Sequence, residues 1–220
     1  MIENIVIQGD CAEFMTALPA ESVDFVLSDP PYIVNYIDRR SRTVANDETP
    51  EQIKKVWQQV ARLLKPNTLC FSFYSWQHIH DFSSAWDLAG LKPVGNIVFA
   101  KTYASGERYT RYSHECAFLL AKGHPPLPEQ PIPDVLQWHY SGNPRHPTEK
   151  SIETVKPIIE AFTKAGDLIL DPYAGSGSSI VAAALLKRRY IGIELEPKYC
   201  ELAERRLAGV RKRLQAALTA

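Results

Sequence analysis

Apolar positions along this chain fall into short, dense runs separated by longer stretches of helical spacing. Residues 4–9 (NIVIQG), 23–28 (VDFVLS), 68–75 (TLCFSFYS), 96–101 (NIVFAK), 115–122 (ECAFLLAK), 167–171 (DLILD) and 190–194 (YIGIE) have the length and near-continuous apolar character of buried strands. Between them the pattern predicts helices over 12–18, 50–65, 78–89, 151–163 and 178–187, and a terminal helix from Pro197. Thr49 is placed to cap the second helix, with Pro50 at its first position and Glu51 and Gln52 in its first turn. Strands that alternate with helices predict an α/β fold, a Rossmann-like doubly wound and mostly parallel sheet, and the runs at 96–101 and 115–122 predict an antiparallel hairpin at its edge. Residues 33–50 have neither period and read as a long loop, while the proline-rich segment 123–147 reads as a wrapping stretch without regular structure.

At 220 residues the chain is expected to form a single domain, 1–220, around one sizeable core. No apolar run approaches the length of a membrane span, and the opening MIENIVIQGD lacks the basic start of a signal peptide, so a cytoplasmic protein is expected. Lys plus Arg and Asp plus Glu both number 25, and this zero net charge argues against a general polyanion binder. Local basic groups remain: Arg39, Arg40 and Arg42; Lys101, Arg108 and Arg111; Lys187, Arg188 and Arg189. For each, a solvated face weighs as much as a phosphate contact. Cys11, Cys70, Cys116 and Cys200 are scattered, with no C-x-x-C pair, which predicts reduced thiols and no metal.

Candidate chemistry starts at Asp29-Pro30-Pro31-Tyr32. The strand before it must stop there, because consecutive prolines give no amide hydrogens to a ladder and bias the preceding residues toward extended backbone. Asp29 therefore stands at the carboxyl end of a strand, where open α/β sheets place ligands. A second stretch, DLILDPYAGSGSS from Asp167 to Ser179, sets Gly175 and Gly177 in a tight turn between a strand and a helix N-terminus. Ser178 follows Gly177 where a phosphate-cradling loop would need Lys, and Ile180 stands where a dinucleotide fingerprint would need a small residue. A plain turn competes equally until Glu194 is added. An acid at the tip of the next strand is placed to accept hydrogen bonds from ribose hydroxyls, so the pair of features suggests a nucleoside-bearing cofactor without a pyrophosphate.

DPPY at 29–32, DPYAGSGSS at 171–179 and HPTEK at 146–150 together resemble the amino-group DNA methyltransferases that use S-adenosylmethionine. Their order, DPPY early and the glycine loop late, resembles the permuted beta class, and the likeness runs over nearly the whole chain. The resemblance implies the class I methyltransferase fold in permuted order. It implies that Asp171, Pro172, Tyr173 and Ala174 to Gly177, with Ser178, surround the methionine part of the cofactor. Glu194 would hold the ribose, Asp10 and neighbouring Cys11 would lie at the adenine, and His146, Pro147, Thr148 and Lys150 would close over the methionine carboxylate. Read without its partners, HPTEK is equally a helix entry capped by Thr148.

Asp29, which would also border the cofactor, and the Pro30 carbonyl would accept the hydrogens of an exocyclic amine, Pro31 would stiffen the turn, and Tyr32 would stack on a base flipped from duplex DNA. The family tends to use Asp or Asn before Pro-Pro-Tyr for adenine N6 and Ser for cytosine N4, which favours adenine. Double-stranded DNA is the expected partner. Loop 33–47, with Tyr36, Arg39, Arg40 and Arg42, is expected to be a mobile clamp, and 101–145, with Arg108, Arg111 and His114, is expected to be an inserted target-recognition region. Its small size suggests a homodimer, acting as an orphan enzyme or within a restriction-modification system. A cytosine N4 enzyme and an inert DNA-binding regulator are the competing readings.

Overall fold

The structure, a computed structural model, describes residues 2–38 and 41–218. Eight strands, β1 (Ile5–Gln8), β2 (Val23–Ser28), β3 (Leu64–Phe73), β4 (Leu91–Ala100), β5 (His114–Lys122), β6 (Val135–Gln137), β7 (Leu168–Asp171) and β8 (Arg189–Glu194), form one sheet in the order β1-β8-β7-β2-β3-β5-β4-β6. Pairing is parallel except where β5 lies between β3 and β4, so β5 alone runs against the others among the described strands. The mostly parallel doubly wound sheet and its antiparallel hairpin are therefore present.

Among the described residues six α-helices cover the two faces: α1 (Cys11–Thr16), α2 (Glu51–Leu63), α3 (Ile79–Leu88), α4 (Ile152–Phe162), α5 (Ser178–Leu185) and α6 (Pro197–Leu218). Because side chains alternate along a strand, β2 sends Phe25 and Leu27 to the face of α4, α5 and α6, and Val26 to the face of α1, α2 and α3. Strand β3 does the same with Phe71 and Phe73 against Cys70. On the second face Trp57 of α2 meets Trp86 of α3 edge to face, with ring centroids 6.0 Å apart. Helix α5 is buried from Ser178 through Ala184 and carries small residues, which lets α4 and α6 close on either side of it.

Most boundaries shift by a few residues from the sequence reading, and four departures have a local cause. Helix α2 stops at Leu63 rather than Lys65, because Pro66 drives the residues before it to extended backbone, and Leu64 already has ψ 135. Pro50, not Thr49, flanks the start of α2, and no side chain caps it. Strand β4 begins at Leu91, earlier than its apolar run, since its first half is an exposed ladder that includes Pro93. The proline-rich segment contributes β6, three residues paired with Val98–Ala100 beyond the hairpin, too short to show a period.

The sheet order fixes where a ligand can bind. From β7 the chain turns through α5 to β8 on one side, whereas β2 leads through α2 to β3 on the other. The crevice at the carboxyl ends of neighbouring β2 and β7 is thus the point where the winding reverses, and Asp29 and Asp171 stand at those two ends. The connections leaving β4 and β6 emerge on the same rim, since both strands run parallel to β2. Among the described residues, no helix is long and apolar enough to cross a membrane, and no group of His, Cys, Asp and Glu could hold a metal ion. The four cysteines are free thiols.

Candidate active site

A continuous cleft at this crevice is lined by Asp10, Cys11, Asp29 to Tyr32, Tyr36, His146, Thr148, Lys150, Asp171 to Ser176, Ser178 and Glu194, so residues from all three motifs converge. Gly177 and Pro147 stand behind its wall rather than on it. Gly177, at φ 83, is the left-handed residue flanking α5, and a Cβ there would come within 2.7 Å of Ala203. The Pro147 carbonyl accepts the Asn143 side-chain amide at 2.6 Å and the Tyr36 hydroxyl at 3.4 Å.

At the end of β2 the Asp29 carboxylate is already occupied. Lys150 Nζ donates to Oδ1 at 2.8 Å and Oδ2 at 2.7 Å, and the Tyr32 hydroxyl donates to Oδ1 at 3.0 Å. The ammonium also lies 5.4 Å from the Tyr32 ring centroid, 4.9 Å from Phe73 and 5.9 Å from Trp138, an aromatic surround that favours a cation. Burial raises the Asp29 pKa above the usual carboxylate value, and Lys150 draws it back only in part. Sequence likeness expected Lys150 at the cofactor carboxylate; here it is the partner of Asp29.

The turn after DPPY is held by a residue the sequence reading passed over. Ile33 has φ 61, an uncommon conformation for a β-branched residue, and Asp47 accepts its amide at 2.7 Å and that of Tyr36 at 2.7 Å. Asp47 is buried, so the bond from Ile33 is made away from water. The only signal was an Asp shortly before a helix, which reads as a capping residue.

On the β7 side, Asp171 accepts the Tyr173 amide at 2.9 Å and a short bond from the Ser179 hydroxyl. Burial, with the charges of Asp29 and Glu194 nearby, raises its pKa to about 7. Glu194 bridges the glycine turn, accepting Gly175 N at 2.8 Å through Oε2 and Glu196 N at 2.8 Å through Oε1. Asp10 caps α1 by accepting the Ala12 and Glu13 amides. Cys11 is a buried thiol whose pKa rises to about 12, chiefly through burial, so it acts as wall rather than nucleophile. His146 packs edge-on to Tyr199 at 4.4 Å and accepts from Thr148 at 3.3 Å; burial, then Lys150 and other cations, lowers its pKa to about 4 and keeps the ring neutral.

Of the basic candidates, Arg39 and Arg40 lie outside the described residues. Arg42 is engaged internally, with Asp38 at 2.7 Å and the Asn143 carbonyl at 2.9 Å, and Lys101 is paired with Glu115. Arg108 and Arg111 are exposed on the β4–β5 connection, and His114 is exposed at the first position of β5.

Comparisons with known proteins identify the family of the chain. The family model N6_N4_Mtase, described as DNA methylase, matches residues 23–205. YubD of Escherichia coli (strain K12), whose name gives a methylase and no target base, is 49% identical over 209 residues, covering 95% of this chain and 92% of YubD. The type II methyltransferase M2.DpnII of Streptococcus pneumoniae is 27% identical over 238 residues, covering 92% of this chain and 89% of its own. Among solved structures, M1.HpyAVI in complex with SAM aligns with TM-score 0.72 at 24% identity over 92% of this chain and 98% of that one. The cytosine-N4-specific PvuII DNA methyltransferase aligns with TM-score 0.74 at 16% identity over 94% of this chain and 91% of that one. With a family match that spans most of the sequence and all three motifs gathered in one cleft, the chain belongs to the N6/N4 family of DNA methylases.

Proposed function

We propose that this protein transfers a methyl group from S-adenosylmethionine to N6 of an adenine turned out of duplex DNA. The observation that carries the reading is the Asp29 carboxylate at the end of β2, hydrogen-bonded and facing the same cleft as the glycine turn. The cleft suits such a cofactor chemically. Its wall carries the carboxylates of Asp10, Asp29, Asp171 and Glu194, and no lysine follows the glycines, which fits a cationic nucleoside better than a polyphosphate. Glu194 would hold the ribose with its remaining lone pairs, and the turn from Ala174 to Ser176 would border the methionine part, with His146 and Thr148 closing over it.

When bound, S-adenosylmethionine supplies a methyl group activated by its sulfonium charge. The protein's task is the other reactant. An exocyclic amine is a weak nucleophile because its lone pair is delocalised into the ring, and Asp29 counters this by accepting an amine hydrogen and stabilising the positive charge that grows on nitrogen. The Pro30 carbonyl offers a second acceptor in a turn stiffened by Pro31. Lys150 donates to both oxygens of that carboxylate, so an incoming amine has to share the acceptor with this ammonium or displace it. Asp rather than Ser before Pro-Pro-Tyr supports adenine over cytosine.

Purified protein is incubated with methyl-labelled S-adenosylmethionine and mixed-sequence duplex DNA, digested to nucleosides and compared with Asp29→Ala. Label on adenine N6, lost in the variant, is the expected result. Label on cytosine N4 would keep the chemistry and overturn the base assignment; no label in any nucleoside would overturn the reaction.

A further inference from the structure

The two chain segments placed around the cofactor are distant in sequence, and one face of α6 touches both. Tyr199, Ala203 and Arg206 stand at i, i+4 and i+7, which brings them into one stripe. Tyr199 supports the His146 ring, and Ala203 lies directly beneath Gly177. Arg206 reaches furthest. Its Nη1 donates to the Ser176 carbonyl at 2.5 Å and approaches the hydroxyls of Ser176 at 3.1 Å and Ser178 at 3.2 Å, while lying 3.7 Å from Glu149 Oε1.

Glu149 completes the connection from the other side. Its side chain is 1% exposed and accepts Arg145 Nη1 at 2.8 Å and the Arg145 amide at 3.3 Å, and its carbonyl accepts the Ser141 hydroxyl at 2.9 Å. The glycine turn and the 145–150 segment are therefore joined through one guanidinium. We infer that Arg206 is a positioning residue for cofactor binding, fixing the spacing between the glycine turn and the segment that covers it. The inference rests on the S-adenosylmethionine reading above. A cleft held open at the right width binds without first ordering its walls, and a planar guanidinium is pre-organised, so it loses less side-chain entropy per hydrogen bond than an ammonium on a flexible stem.

The full-length protein is titrated with S-adenosylmethionine in a calorimeter, without DNA, as wild type, Arg206→Met, Arg206→Lys, Glu149→Gln and the Met/Gln double variant. Arg206→Met is expected to raise Kd about ten-fold or more, the effect of leaving charged, buried hydrogen bonds unmade. Arg206→Lys should recover part of the loss, and the double variant should lose less than the product of the single effects. In turnover, KM for the cofactor should follow Kd while kcat at saturation holds, a split that general loosening of the fold would not give. If Arg206→Met does not fold, Arg206→Lys and Glu149→Gln carry the comparison. Wild-type binding left intact by Arg206→Met or by both remaining variants, or fully additive losses, overturns the role of Arg206 alone. Absence of wild-type binding overturns the cofactor reading and this inference with it.

Discussion

Asp29 and Lys150 are 121 positions apart, and their contact shows what a motif read in isolation leaves out. DPPY was legible as a ligand-facing strand end because prolines and an acid carry their constraints locally. The ammonium that fills its acceptor site was not, because nothing near Asp29 specifies it, and neither Asp47 nor Glu149 signals its role by its neighbours. The pair sets a testable pH dependence. Burial raises the Asp29 pKa and Lys150 opposes that rise, so removing the ammonium leaves burial opposed only by the weaker hydrogen bond from Tyr32. The ionised carboxylate is the amine acceptor, and activity is therefore lost as pH falls through its pKa. Lys150→Met is expected to move the acid limb of kcat/KM for DNA to higher pH, a value that reports the free enzyme, in which the ion pair exists. A pH–rate series on both proteins reads the shift; an unmoved limb would mean that Asp29 does not control it.

At the scale of elements, strands and helices were readable wherever an apolar period lasted several residues. The misses share a cause. Strand β6 has only three residues, and the first half of β4 is exposed and without a buried apolar alternation, so in both the ladder is made by backbone bonds that composition does not report. The glycine turn was recognisable from Gly175 and Gly177, but their separate duties were not. Gly175, at φ 52, leaves an added Cβ 3.7 Å from the nearest His146 atom, while Gly177, at φ 83, would drive one to 2.7 Å from Ala203. Gly175→Ala should therefore cost only the backbone term of about 1–2 kcal/mol. Gly177→Ala should add overpacking of about 1–3 kcal/mol to the same term, because α6 must shift to admit the methyl. Urea unfolding of the two variants gives the comparison, with Gly177→Ala the less stable.

For the molecule as a whole, the doubly wound order followed from the alternation of strands and helices, and its reversal between β7 and β2 gathers residues from both ends of the chain into one cleft. What sequence did not separate was which cations serve the fold and which remain for a polyanion. Net charge is zero, so attraction to DNA has to come from local groups rather than an overall field. Arg42 and Lys101 are held by Asp38 and Glu115, whereas neither Arg108 nor Arg111 meets a carboxylate within ion-pair distance among the described residues. Both arginines stand on the β4–β5 connection, on the rim shared with Asp29. Each phosphate neutralised releases condensed counterions, so Arg108→Ala and Arg111→Ala should each reduce the slope of log K against log salt by about 1. Arg42→Ala should leave that slope in place and lower the melting temperature instead, since it removes the bonds to Asp38 and Asn143. Duplex binding measured across a salt series distinguishes the two groups, and a slope unchanged by both loop variants would move the phosphate contacts to another surface.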